Sequence, residues 1–408
     1  MNILIVVDVY PPEISSAAHL MQDLAEGLKK RKHNVSVVTT KPKYYLEEGK
    51  KGNSLPRVIN ENGIKVIRIA APPLHKTNFI IRGFSQLLLP FLFVSKIKKY
   101  INKPIDAVFV YSPPLTLGIT GAIVKRLYNA RFILNLQDIF PQNAIDLGIF
   151  RNPILIKFFE WIEKKVYNAA DFITFHSEGG KKWLIENKNI SFEKIITLPN
   201  WTNPELFQNP NNPISFREKY HLDDKFVFLF PGIMGPAQGL DFLIETAKSV
   251  SDNKNILFLL VGDGTKKEKL KELVKHYDLN NVIFKPFVSR KNFPSLVNSS
   301  DVGIVCLSNQ NQTPFVPGKL LNYLAAGKPV LAFLNKESDA FSLINKAECG
   351  YAVMAGDKKK AEEIVRKIYK EKDSLNKLGE NGYKFFLQNL TLESALDKIE
   401  KILNKEVS

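Results

Sequence analysis

Cysteine is nearly absent from this chain: Cys306 and Cys349 are the only two in 408 residues. Two thiols without CxxC spacing supply neither a disulfide framework nor a cysteine metal site, so both are expected free in apolar surroundings. The six histidines show no HxxxH spacing, and no protein-built zinc site is expected. No apolar run reaches the roughly 20 residues that a membrane-spanning helix needs. The N-terminus passes directly into Ile3-Leu4-Ile5-Val6-Val7 and Asp8 without a basic leader, which predicts a cytoplasmic protein. Low-complexity tracts and fixed-period repeats are missing as well, which leaves an ordinary globular composition.

Acid is locally absent too. Against 57 Lys and Arg stand 41 Asp and Glu, a formal net charge of +16. From Ala70 to Ile105 there is no acidic residue, while Lys76, Arg82, Lys96, Lys98, Lys99 and Lys103 accompany an apolar stretch from Phe79 to Val94. Arg82, Gly83 and Pro90 interrupt that stretch. Two readings fit: an amphipathic element lying on an anionic membrane surface, or a buried domain helix with a solvated basic end. Nucleic acid would explain the charge, but it would leave the motifs described next without a use.

A chain of this length suits two domains with a cleft between them. Strand and helix signals alternate throughout, as in parallel sheets with helical crossovers. Expected strands include Ile3–Val7, Val35–Thr39, Lys65–Ile69, Ala107–Val110, Arg131–Leu136, Asp171–Phe175 and Ile195–Leu198. After the turn-rich Leu198-Pro199-Asn200-Trp201-Thr202-Asn203-Pro204, the pattern resumes with Phe226–Phe230, Asn255–Val261, Val282–Phe284, Val302–Cys306 and Val330–Phe333. The boundaries are therefore set at 1–198 and 199–387, with a C-terminal helix at about 388–408 packing back on the first domain. Ligands of such sheets bind beyond the carboxyl ends of the strands.

Phe315 through Val330 carries the clearest chemistry. Pro317 and Gly318 set a tight helix entry, Leu320, Leu321 and Leu324 form one apolar face, and Gly327 and Pro329 end the helix before a buried strand. Lys319 falls in the first helical turn, where the helix dipole already makes the environment positive. An anionic ligand would reverse that penalty, as at other phosphate-binding helix starts. A solvated lysine at a helix end is the plain alternative.

Tyr10-Pro11-Pro12-Glu13, Gln137-Asp138-Ile139-Phe140-Pro141, Leu198-Pro199-Asn200-Trp201, Gly232 through Leu240, Val261-Gly262-Asp263-Gly264 and Val316 through Val330 occur in an order that resembles the retaining family 4 glycosyltransferases of GT-B fold. The pattern is most similar to the bacterial branch that assembles capsule, colanic acid and O-antigen repeats, including L-fucosamine transferases. The resemblance implies two Rossmann-like doubly wound domains, with a UDP-sugar held mainly by the second and a lipid-diphosphate-linked saccharide by the first. It also implies transfer with retention, without a cofactor or metal, at the inner face of the cytoplasmic membrane. Donor-site residues implied are Ser15, Ser16, Gly232, Gly235, Gln238, Gly262, Asp263, Phe287, Val288, Pro317, Gly318, Lys319, Leu320 and Asn322. Asp138 and Glu13 are the implied catalytic candidates, Asp138 as a base toward, or an orienter of, the acceptor hydroxyl.

Several positions depart from the family pattern. Ile233 and Gln238 stand where many members carry arginine and lysine, and Asn322 stands where the second of two paired glutamates is common. These departures shift diphosphate neutralisation toward Lys319 and helix N-termini. Bland roles remain for Ser15 or Ser16 as a helix cap, Asp138 in an Asx turn, Asn322 as a surface polar residue, and Phe287 and Val288 as packing residues. Other functions consistent with the fold are a UDP-sugar epimerase and a non-catalytic sugar-nucleotide-binding protein.

Overall fold

The structure is a computed structural model that describes residues 1–42, 46, 55–72, 79–208 and 215–404. It divides into two compact units, Met1–Asn200 with Leu392–Ser408, and Trp201–Thr391. The first boundary falls after Asn200 because the Asn200 side chain belongs to the N-terminal unit, where it exchanges hydrogen bonds with Gln137 at 2.7 and 2.9 Å.

In the N-terminal unit the strands are β1 (Asn2–Val6), β2 (Asn34–Thr40), β3 (Val58–Glu61), β4 (Ile64–Ile69), β5 (Ala107–Ser112), β6 (Arg131–Leu136), β7 (Phe172–Phe175) and β8 (Ile195–Thr197). Its helices are α1 (Ser16–Lys30), α2 (Phe79–Tyr100), α3 (Leu117–Tyr128), α4 (Gln142–Asp146), α5 (Pro153–Ala169) and α6 (Glu178–Lys188). The sheet order is β3-β4-β2-β1-β5-β6-β7-β8, parallel except for the β3–β4 hairpin. Strand β3 is not among the expected strands. It is short, edge-lying and polar at Asn60 and Glu61, and the Asn62-Gly63 turn with two positive φ angles, 53° and 78°, creates it.

Parallel strands covered on both faces become continuous apolar runs. All six residues of β5 are buried. Helices α2, α3 and α5 close one side of the sheet through Leu89, Phe93, Ile97, Val124, Phe159, Ile162 and Val166. Helix α1 is covered by the last helix of the chain, Leu392–Asn404: Leu396 lies against Gly27, and Arg31 reaches Glu393, Asp397 and Glu400 at 2.6–2.7 Å.

The C-terminal unit contains β9 (Phe226–Pro231), β10 (Ile256–Val261), β11 (Val282–Lys285), β12 (Val302–Cys306), β13 (Val330–Leu334) and β14 (Gly350–Met354). Its helices are α7 (Glu205–Gln208), α8 (Phe216–Tyr220), α9 (Leu240–Ser249), α10 (Lys267–His276), α11 (Phe293–Asn298), α12 (Gly318–Ala325), α13 (Ala340–Ala347), α14 (Lys358–Lys370) and α15 (Leu375–Asn389), and the helix on α1 is α16 (Leu392–Asn404). The all-parallel order is β11-β10-β9-β12-β13-β14. Strand β14, also absent from the expected set, starts at Gly350 with φ 156°, where a Cβ would stand 1.9 Å from the Val330 carbonyl.

Each sheet has one place where successive strands stop being added on one side and continue on the other. It lies between β1 and β5 in the first unit and between β9 and β12 in the second. The carboxyl ends at these switch points are where doubly wound sheets hold ligands.

Candidate functional site

At the β9/β12 switch point, β9 is followed by Gly232, whose φ is 127°. A Cβ there would meet Lys319 Cε at 2.8 Å and Nζ at 3.1 Å, so the missing side chain makes room for the lysine. Lys319 is the second residue of α12, which begins after Pro317 in extended conformation. The helix is anchored by Tyr323, whose hydroxyl lies 2.8 Å from the Leu229 carbonyl and 3.0 Å from that of Ile304, beside Gly303, where a Cβ would strike its ring at 2.3 Å.

Burial pushes the Lys319 amine down to about 8. Its Nζ lies 4.7 Å from the Phe230 ring centroid, a modest cation–π contact. Cys306 is nearby, but burial raises its thiol so far that it stays neutral near pH 7 and gives no counter-charge. Among the described residues no carboxylate forms an ion pair with Lys319. A desolvated cation with no carboxylate partner among the described residues, beside the helix-start N–H groups of Gly318 and Lys319, is suited to an anion.

The surrounding loops are braced by backbone. Gly262, after β10, has φ 154°, and a Cβ would fall 1.9 Å from the Gly232 carbonyl oxygen. Met234 N–H donates to the Asp263 carbonyl at 2.8 Å, and Lys267 Nζ donates to that of Gly262 at 2.7 Å. Gly235 N–H donates to Gln238 Oε1 at 3.0 Å, so the Gln238 carbonyl group holds its own loop. Replacement of Gly262 by alanine is expected to destabilise this unit by about 1–3 kcal/mol from strained φ alone, measurable as a lower denaturant midpoint. Wild-type stability in that variant would contradict this packing.

The other sequence-derived positions fall unevenly. Asn322 is half-buried, one turn beyond Lys319, while Phe287 and Val288 follow β11, with Val288 packed against the core. Leu320, also expected at the donor site, is fully buried on the apolar face of α12, and its N–H donates to the Pro317 carbonyl at 3.0 Å. Ser15 also takes the plainer role, capping α1 by accepting from Ala18 N–H at 3.1 Å. Ser16 is exposed at the first turn of that helix.

At the β1/β5 switch point a second group of side chains gathers. Asp138 follows β6, and burial raises its carboxyl to about 6. Asp8 follows β1 and is raised to about 7, by burial and then by the charge of buried Glu13. Both carboxyls act electrostatically on the buried Tyr111 of β5, and burial foremost pushes that phenol far up. Gln137 fixes the chain entering Asp138, donating from Nε2 to Asn135 Oδ1 and Asn200 Oδ1, both at 2.9 Å. His176, after β7, is pushed down to about 4 by burial and stacks on Phe175.

Sequence reasoning passed over Asp8, Tyr111 and His176 as site members. The signal for Asp8 was its place directly beyond an apolar strand. Tyr111 and His176 carried none, because their proximity depends on strand order.

Two Rossmann-like parallel-sheet units, each with polar side chains at its switch point, make the GT-B architecture. Solved structures with this fold include HepE of Anabaena in complex with UDP and glucose, at TM-score 0.74 and 18% identity, over 99% of this chain and 100% of that one. Sucrose-phosphate synthase of Thermosynechococcus elongatus aligns at TM-score 0.78 and 16% identity, covering 99% and 98%.

The chain belongs to the glycosyltransferases: residues 17–201 match the glycosyl transferase 4-like domain, and residues 212–385 match glycosyl transferases group 1. Among curated relatives, WcaI of Escherichia coli strain K12, named for colanic acid biosynthesis, is 25% identical over 80% of this chain and 82% of its own length. WbjE of Pseudomonas aeruginosa, named as a glycosyltransferase, is 23% identical over 69% of this chain and 70% of its own.

Proposed function

We propose that the chain transfers a sugar, N-acetyl-L-fucosamine or another N-acetylated sugar, from a UDP-sugar to a lipid-diphosphate-linked saccharide in capsule or O-antigen assembly, with retention. The observation that carries this reading is the desolvated Lys319 against Gly232 at the β9/β12 switch point, with no carboxylate partner among the described residues. In this reading the diphosphate lies on Lys319 and the start of α12, and Asn322 meets the ribose. The cation is supplied by the protein itself, so no metal is required. UDP as the nucleotide is supported by HepE, which was solved with UDP and with UDP-glucose.

Departure of UDP places negative charge on its terminal phosphate, and fixed donors aimed at that charge lower the barrier. In the N-terminal unit Asp138 accepts or orients the acceptor hydroxyl proton, with Glu13 acting on neighbouring Asp8. No protein nucleophile is needed when the acceptor attacks the face from which UDP leaves.

The acceptor reading is supported by names such as that of WcaI and by α2. No helix among the described residues is long and apolar enough to cross a membrane. Helix α2 instead buries Leu89, Phe93 and Ile97 and leaves Phe84 and Phe91 exposed at 69% and 60%. Its basic end, Lys98 and Lys99, is exposed too. Both sequence readings of this segment thus share one helix, and we assign its outer face to peripheral contact with the anionic inner leaflet. Lys76 and the side chains of Phe79, Ile80, Ile81 and Arg82 lie outside the described residues.

The test is a mass-spectrometric screen of UDP-sugars against lipid-diphosphate saccharides. A product heavier by one sugar residue supports the reading; donor hydrolysis alone, or no turnover with any pair, counts against it.

A further inference from the structure

Helix α5 carries a second apolar stripe that the donor and acceptor chemistry does not use. Ile154, Phe158 and Trp161 follow i, i+4, i+7 spacing and so share one helical face, with exposures of 77%, 39% and 57%. Phe158 and Trp161 stack at 6.3 Å with an interplanar angle of 23°. Lys165, one turn further along that face, places its Nζ 5.9 Å from the Trp161 ring centroid. Beside the stripe, Lys157 and Lys164 are exposed, with Arg151 just ahead of the helix; Glu160 is the exposed acid of α5. The inner face of α5 is fully used, since Phe159, Ile162 and Val166 are core residues.

The outer face of α2 repeats the design. Phe84, Leu88 and Phe91 have the same i, i+4, i+7 spacing and are all exposed, and Lys98 lies seven residues beyond Phe91 on that face. Helix α3 packs against both α2 and α5, so all three lie on one side of the sheet. Helix α5 belongs to the crossover that leaves β6, whose carboxyl end carries Asp138. A direct link exists: Phe140, two residues after Asp138, packs on Phe159 of α5 at 5.2 Å.

We infer that the outer faces of α5 and α2 together form one docking surface for an anionic lipid bilayer. Ile154, Phe158 and Trp161 enter the interface, and the lysines of both helices meet lipid headgroups. A stacked Trp–Phe pair with lysines at its margin suits the headgroup boundary, where amphipathic aromatic rings settle. The flanking charge favours lipid phosphate over an acidic or neutral partner, because four exposed cations, Arg151, Lys157, Lys164 and Lys165, face the single acid Glu160. Docking by this surface would bring the carboxyl end of β6, with Asp138, toward the membrane, which gives the lipid-linked acceptor a short route. The inference rests on the lipid-acceptor reading for that consequence alone.

Flotation of the full chain with phosphatidylcholine vesicles, with and without phosphatidylglycerol, tests it. The wild type is expected to float with the anionic vesicles at low salt, with Trp emission quenched by bromine-labelled lipid chains. Phe158→Ser combined with Trp161→Ser is expected to weaken vesicle affinity at least about tenfold, from the apolar area no longer buried, and to leave UDP affinity by calorimetry unchanged. Trp161→Phe should abolish the quenching while keeping flotation.

Wild-type flotation by the double variant, or quenching that survives Trp161→Phe, would overturn the α5 assignment. If Lys96, Lys98 and Lys99 changed together to glutamine abolish flotation in that case, α2 alone carries the contact. A wild type that ignores anionic vesicles overturns the surface altogether. Failure to bind UDP would strike the donor reading instead and leave the lipid result standing.

Discussion

Lys319→Met is expected to weaken UDP-sugar binding by about ten- to a hundredfold, the loss of a charge-assisted partner worth about 1.5–3 kcal/mol. Methionine keeps most of the side-chain volume beside Gly232, so the change isolates charge. Calorimetry reads the affinity, and an unchanged value in a folded variant would remove Lys319 from the donor site. The pH dependence follows from the amine at about 8 in the empty protein. A bound diphosphate favours the charged form, so wild-type affinity should be high below about 8 and fall as pH rises above it, whereas the variant should show no such fall.

Stability should move in the opposite direction. The folded amine sits at about 8 against a reference of 10.5, so folding disfavours the protonated form. That cost is fully present below about 8 and is relieved as pH rises toward the unfolded value. Ligand-free Lys319→Met should therefore be more stable than wild type at neutral pH, by about 1–2 kcal/mol after discounting for partial exposure, with the gap closing in alkali. A variant less stable than wild type at pH 7 would mean that the lysine has a partner when empty.

Asp138→Asn is expected to lower turnover by about 10²–10⁴-fold, the range typical of a positioned general base, with little change in UDP affinity. Because burial raises the Asp138 carboxyl to about 6, wild-type kcat/KM for acceptor should fall as pH drops below about 6, where the base becomes protonated. The amide of the variant does not titrate in this range, and its residual rate should be flat. Asp8, raised to about 7, interacts with the same Tyr111, so an acid limb nearer 7 that vanishes in Asp8→Asn would transfer the role to Asp8. Full turnover by Asp138→Asn would leave that carboxylate structural.

Much of the fold was legible because buried parallel strands are written as apolar runs. Asn255–Val261 and Val302–Cys306 could be read with no knowledge of their neighbours, and the helix from Gly318 was marked by Pro317 before it and Gly327 after it, the latter at φ 62°. Strand β3 was hidden because a short polar edge needs only its Asn-Gly turn and one partner. The site was legible where one segment holds both the loop and the helix start, as around Lys319. It was only partly legible in the N-terminal unit: Asp138 was named from the sequence, but Asp8 and Tyr111 were not, because the three lie far apart in sequence and are brought together by the order β1-β5-β6. The charge state of Lys319 could not be read from sequence either, since it depends on burial beside Phe230.

The glycines of the C-terminal unit bring backbone against backbone: Gly262 against the Gly232 carbonyl, Gly264 against that of Met234, and Gly239 against Ser308. Loops interlocked in this way have little freedom left to surrender when a nucleotide arrives, so ordering should subtract little from the affinity. Selectivity among donors would then follow shape: a sugar that does not fit is refused because the loops cannot reshape around it. Changing donor preference by substitution should accordingly succeed at side chains that project from these loops, such as exposed Ile233, and fail at the glycines that lock them together.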